Sequence, residues 1–276
     1  MDESKTDRKT PAIVRSRFTG FADTYDRYRP RPPMAIVTLL LEIIGDSHAG
    51  TVVDLGCGTG LSTVIWDGSA DAVVGIEPND DMRERATAGS ARPGIRYVKA
   101  TSYETDLDAE SVDIVTCSQS FHWMEPRATL DECARILRPG GVFAAYDNDW
   151  PPFVSPACDR AYAELLAQVR RLTTAHRDSL PQEQSRDKRG HLTHIRESGL
   201  FAWSRELVLH NTEACDADRF VNMAMSQGSL QTLLKNGISA IDEHIERYVE
   251  AVNTDFARSA SRTMWTSYRV RCGAKS

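Results

Sequence analysis

The stretch VVDLGCGTGLSTVIW, Val52–Trp66, gathers the residues of this 276-residue chain best suited to hold a ligand. Gly56, Gly58 and Gly60 stand between an apolar run and a segment that reads as a helix over 61–66. Glycine lets the main chain pass close to a ligand and take positive φ, and a helix start offers unpaired amides. Cys57 lies inside the turn, and Asp54 lies just before it. Two ligand classes suit such a turn: a dinucleotide or S-adenosyl-L-methionine. The dinucleotide spacing GxGxxG requires a glycine at 61, and Leu61 stands there. In the observed DxGxGxG, the Asp54 carboxylate would crowd a pyrophosphate. It suits an ammonium instead, directly or through water. The methionine part of S-adenosyl-L-methionine supplies that ammonium and carries no phosphate.

Further chemistry-bearing residues follow. Glu77, in VVGIEPNDDM, lies about 20 residues past the glycines, where a carboxylate accepts hydrogen bonds from both ribose hydroxyls. His122 is a candidate base, since a neutral imidazole works near physiological pH, or a group that only positions a substrate. Trp123, Tyr25 and Tyr28 are candidates for an aromatic wall beside a cation, with plain packing as the alternative. Arg29 could fork onto a cofactor carboxylate or remain a solvated charge. His191 and His194, with His176 and His210 nearby in sequence, lack a defined third ligand, so no metal is expected. Basic residues outnumber acidic ones over 160–196, which suits an anionic partner or a solvated helix face.

These residues need a frame. Short strands rich in Val and Ile are expected at 51–55, 72–76, 95–98, 112–117 and 141–146. Helices are expected at 34–44, 61–66, 80–88 and 127–137, with LRPGG closing the last. Arg29-Pro30-Arg31-Pro32-Pro33 reads as a fixed elbow, since proline lacks the amide hydrogen a helix interior needs. The alternation implies a doubly wound, mostly parallel α/β sheet. Four parts are expected: an N-terminal segment and lid helix over 1–50, a Rossmann-like core over 51–149, a helical cap over 150–190, and 191–276. The last part completes the core and carries a second cap insertion at 214–252. A sixth strand falls in HLTHIRESGLFAWSRELVLH and a final one in TMWTSYRVRCGAK.

The glycine turn and Glu77 resemble the first two motifs of the class I S-adenosylmethionine-dependent methyltransferases. Residues 112–146 resemble the later motifs, and His122-Trp123 with YDRYRPRPP resembles the trans-aconitate methyltransferase-like, type 11 branch. The resemblance is close over about residues 18–150. It implies a Rossmann-like sheet of seven strands, S-adenosyl-L-methionine as cofactor and S-adenosyl-L-homocysteine as product. By the same resemblance, Asp54, Gly56 and Gly58 form the methionine-binding loop, and Glu77, Pro78 and Met82 line the adenosine. Thr101 and Ser102 stand where the family reads the adenine edge, although Thr101 replaces its common acidic residue. Ser118 and Gln119 line the junction of cofactor and acceptor. The branch implies a carboxylate-bearing or other polar small molecule as acceptor, methylated on oxygen.

Composition narrows the alternatives. The net charge of −6 argues against a general nucleic-acid binder, and no apolar run is long enough to span a membrane. The charged MDESKTDRKT has no apolar h-region, so no signal peptide is expected, and six cysteines without CxxC spacing suit a reduced, cytoplasmic protein. Rival readings keep the fold but change the task. They are a protein or RNA methyltransferase, nitrogen or carbon methylation, cofactor binding without transfer, and a nicotinamide oxidoreductase, which Leu61 opposes. Oligomeric state has no signal in the sequence.

Overall fold

The computed structural model describes residues 28–89, 92–181 and 186–276. The candidate Tyr25 lies outside them. Beyond the elbow, helix α1 spans Met34–Ile44 and buries Ile36, Val37, Leu40 and Leu41, four residues that fall on one helical face. Gly45 ends it with φ 75°, the left-handed conformation that a helix stop of this kind requires.

The alternation then runs β1 (Ala49–Leu55), β2 (Ala70–Ile76), α2 (Asp80–Gly89), β3 (Ile95–Val98), β4 (Val112–Ser118), α3 (Pro126–Ile136) and β5 (Leu137–Asn148). Val52, Val53, Val74, Ile114 and Val115 are at most 1% exposed, as strands covered on both faces require. These strands pair in parallel in the order β3-β2-β1-β4-β5. The order reverses between β1 and β4, so the ligand crevice belongs at the carboxyl ends of those strands. The glycine turn, Glu77, Gln119, His122 and the end of β5 all lie on that edge.

The remaining elements are α4 (Pro156–Ala175), α5 (His191–Ser198), β6 (Trp203–Cys215), α6 (Ala217–Met225), α7 (Gly228–Lys235), α8 (Asp242–Phe256) and β7 (Arg262–Ala274). Strand β7 slots antiparallel between β5 and β6, completing the expected seven-stranded, mostly parallel sheet. Helices α4 and α6–α8 form a core of their own around Tyr162, Phe220, Met223, Tyr248 and Val252. Ser155 and Asp216 cap α4 and α6, their side chains accepting the Cys158 and Arg219 amides.

Three boundaries differ from expectation. Residues 61–66 form no α-helix; only a short 3₁₀ turn, Thr63–Trp66, is present. Ser62 and Thr63 spend their hydroxyls on Asp54, Val64 and Ile65 are β-branched, and Gly68 turns the chain at φ 76°. The turn is too short to act as a helix N-terminus for a ligand. Strand β5 begins at Leu137, directly at the end of α3, because LRPGG already pairs: Leu137 with Val112 and Gly140 with the Lys275 carbonyl. Finally, β6 runs to Cys215 and α8 to Phe256, so the helical insertion between β6 and β7 is shifted past 214–252 at both edges.

Candidate cofactor and acceptor site

The glycine turn is built from below. Gly56 and Cys57 both donate their amides to the Ile76 carbonyl, at 2.8 and 3.1 Å, which ties the turn to the end of β2. Gly56 has φ 64°, and a Cβ there would lie 2.8 Å from Ser120 Cβ and 2.9 Å from Met124 Cε. Gly58, with φ 58°, differs: a Cβ there would meet nothing within 4 Å. The turn is therefore packed tight at its first glycine and open at its second. Gly60 lies against the Tyr97 ring. The Cys57 thiol is 6% exposed, and burial pushes its pKa well above the ordinary value, so it stays a thiol.

Asp54 is fully buried. Its carboxylate accepts hydrogen bonds from Ser62 Oγ (2.7 Å), Thr63 Oγ1 (2.8 Å) and Thr116 Oγ1 (3.0 Å). Burial raises its pKa and the three hydroxyls pull it back. Through these three bonds the carboxylate braces the glycine turn against β4. Glu77 is 8% exposed and accepts the amides of Gly58 (2.9 Å) and Asn79 (2.8 Å). Its pKa too is raised by burial against the pull of those amides. Each carboxylate oxygen accepts one amide and retains a lone pair for a diol hydroxyl.

Pro78 is half-buried, and Met82 is buried in the first turn of α2, where its amide donates to Asn79 Oδ1 at 3.0 Å. The Thr101 hydroxyl is buried without a hydrogen-bond partner among the described residues, which suits a group awaiting a ligand edge. Ser102 instead bonds Thr129 Oγ1 on α3 at 2.8 Å. Arg29, expected at the cofactor carboxylate, reaches the helical cap. Its guanidinium lies 4.9 Å over the Trp150 ring and donates to the Ser226 carbonyl at 3.1 Å. Tyr28 packs against the same cap core.

Across the crevice lies the end of β4. Ser118 is half-buried at its last position, and Gln119 follows with φ 53°, a left-handed backbone uncommon outside glycine. The Gln119 side chain donates to Asn148 Oδ1 and accepts Lys188 Nζ at 2.7 Å. His122 is 7% exposed, with the Trp123 ring tilted beside it at 4.9 Å. The segment around Arg186 crosses here, donating its amide to the His122 carbonyl at 2.8 Å and its guanidinium to that of Met124.

Behind His122, four groups converge on Asp147, itself 4% exposed at the end of β5. Its Oδ1 lies 2.9 Å from Lys188 Nζ and 3.7 Å from His122 Nδ1. Its Oδ2 lies 3.2 Å from Arg271 Nη1 and 3.4 Å from His191 Nε2. Burial pushes His191 down to about 4, which keeps it neutral near neutral pH. Sequence reasoning paired His191 with His194; the structure pairs it with His122 and Asp147. Asp147, Lys188 and Arg271 were missed because they are scattered along the chain. The available signal was a lone carboxylate ending the apolar run VFAAYD at the edge where ligands bind.

A profile of the methyltransferase domain matches residues 53–145. A demethylmenaquinone methyltransferase of Clavibacter sepedonicus is 34% identical over 173 residues, 58% of this chain and 67% of that protein. An uncharacterised methyltransferase of Mycobacterium tuberculosis is 39% identical over 126 residues, 45% of this chain and 49% of its own, so the match spans about half of that relative's length. In structure, a type II methyltransferase from Anaeromyxobacter dehalogenans superposes with TM-score 0.68 at 23% identity, covering 90% of this chain and 98% of its own. The chain belongs to the class I S-adenosylmethionine-dependent methyltransferases, whose cofactor is S-adenosyl-L-methionine.

Proposed function

We propose that this chain methylates a small, carboxylate-bearing molecule on oxygen, as in the trans-aconitate methyltransferase-like branch. The observation that carries this reading is the cationic lining beside Gln119. Lys188 bridges Gln119 and Asp147, and Arg271 lies behind them. An anionic acceptor entering there meets a lysine that can exchange Asp147 for it.

S-adenosyl-L-methionine supplies a methyl group on a sulfonium, so an acceptor carboxylate attacks the methyl carbon while the sulfur–methyl bond breaks and leaves a neutral thioether. A carboxylate is already ionised near neutral pH and gives up no proton. His122 is then required for placement, with Trp123 as a wall of the acceptor site; proton removal falls to His122 only for a hydroxyl acceptor. Glu77 would hold the ribose, the open face of Gly58 would admit the methionine part, and Thr101 would meet the adenine edge. The segment 186–191, laid over His122, limits the acceptor's size and excludes water. Nucleic acid and membranes are outside this reading. No helix of the described residues is long and apolar enough to cross a membrane.

Methyl-labelled S-adenosyl-L-methionine, incubated with a panel of di- and tricarboxylic acids, tests this. Product that releases labelled methanol in mild alkali is expected. Label stable to alkali would replace the ester with nitrogen, carbon or ether-oxygen methylation. Cofactor binding without incorporation on any acceptor would support the non-catalytic reading.

A further inference from the structure

Beside the acceptor crevice, His122, Asp147 and His191 bring two imidazoles and a carboxylate together, with ligand atoms all within 4.8 Å of one another. All three residues are under 10% exposed. Neither ring nitrogen of His191 has a hydrogen-bond partner among the described residues. Asp147 Oδ1 has none either: Lys188 Nζ lies 2.9 Å from it as an ion pair, but without hydrogen-bond angles. Buried polar atoms left this way call for an explanation, since a desolvated donor or acceptor without a partner is destabilising. Here they converge on one point.

We propose that His122, Asp147 and His191 form a binding site for a divalent transition metal such as Zn²⁺ or Co²⁺. Two neutral imidazoles with one carboxylate are a borderline donor set that selects these ions over Mg²⁺ or Ca²⁺. His122 Nδ1 lies 3.7 Å from Oδ1, near the roughly 3.3 Å between ligands of a tetrahedral zinc site, while His191 Nε2 lies 3.4 Å from the other oxygen, Oδ2. The rings are nearly parallel, with centroids 6.3 Å apart. Arg271, held by Glu206 at 2.8 Å, keeps Oδ2 and orients the carboxylate. Lys188, with a side chain 38% exposed, occupies the cation position and leaves when the metal enters. A fourth position then remains for water or an acceptor oxygen.

The site shares His122 and Lys188 with the proposed acceptor site, but its test needs neither cofactor nor acceptor. The tag-free protein is titrated with Co²⁺ and Zn²⁺, following visible cobalt absorption and calorimetry. One equivalent is expected to bind. Asp147→Asn and His191→Gln should each lower affinity by about 100-fold or more, above the range of a lost supporting contact. Because those buried changes can unfold the chain, Lys188→Gln serves as the second variant. It removes a competing cation and should tighten binding about 10-fold, from the same range. Absence of stoichiometric binding would overturn the proposal. So would binding unchanged in all three variants, which would place the metal on an exposed pair such as His48 and Asp71, 3.0 Å apart. A Lys188→Gln protein that loses stability and gains no metal affinity would make the cluster a structural ion network.

Discussion

The two walls of the crevice are built on opposite plans. The cofactor wall comes from adjacent strands and a few nearby residues, Asp54 to Met82, and the oxygens of both its carboxylates are hydrogen-bonded. The acceptor wall draws on Gln119, His122, Asp147, Lys188, His191 and Arg271, and it carries buried heteroatoms left without hydrogen bonds. A wall whose carboxylates are already held, with the Thr101 hydroxyl left open, can serve any chain that binds the same cofactor. A wall of distant residues with spare valences is one whose ligand must complete it.

Substitutions can break this contrast, and the largest effect is expected in the cap. Phe220 is fully buried and its carbonyl accepts the Tyr248 hydroxyl at 3.0 Å. Phe220→Ala should cost about 3–5 kcal/mol in urea unfolding. Binding of S-adenosyl-L-homocysteine to the folded fraction should survive that change, and equal loss of both would dissolve the distinction between the walls.

Within the turn, two glycines should separate. Gly56→Ala meets Ser120 and Met124 at under 3 Å and adds left-handed strain, so a loss of about 2–4 kcal/mol is expected. Gly58→Ala carries the strain alone, about 1 kcal/mol, and should instead weaken cofactor binding by filling the open face. Paired denaturation and binding titrations would show whether the two effects exchange. Glu77→Gln should weaken binding of S-adenosyl-L-homocysteine by about 10-fold, the size of one charge-assisted hydrogen bond.

The smallest effect is a pH dependence. The Arg135 guanidinium holds the Glu132 carboxyl down to about 2. A lowered acid contributes stability above its ordinary range, and that contribution is lost as pH falls toward its folded value. Thermal melts between about pH 4.5 and 2 should therefore be flatter in Glu132→Gln than in the parent chain. Asp54 and Glu77 work in the opposite sense, since their pKa values are raised: what they contribute fades as pH rises through the raised values. An unchanged slope in Glu132→Gln would assign the acid response to other groups.

The same contrast explains what could be read in advance. Val/Ile strands, the DxGxGxG turn and Glu77 are local patterns, and the sheet follows from them. The bracing by Asp54 was hidden, because it depends on Thr116, 62 positions away across the β1–β4 ladder. The missing helix at 61–66 was hidden for the same reason: its Ser62 and Thr63 hydroxyls are taken by that carboxylate. Asp147 leaves one local signal, the carboxylate that ends VFAAYD, but its partners leave none, since the β5–β7 pairing is what brings Arg271 near it.

Helices α6–α8 hang between Cys215 and Arg262, which are themselves paired across β6 and β7. The whole cap insertion is thus the tip of one oversized hairpin. Lengthening such a tip costs only about 0.6 kcal/mol of closure entropy per doubling, and leaves the register of the strands beneath it untouched. A change in the length of that tip is therefore expected to leave the glycine turn, which follows β1 at the sheet's switch point, as it is.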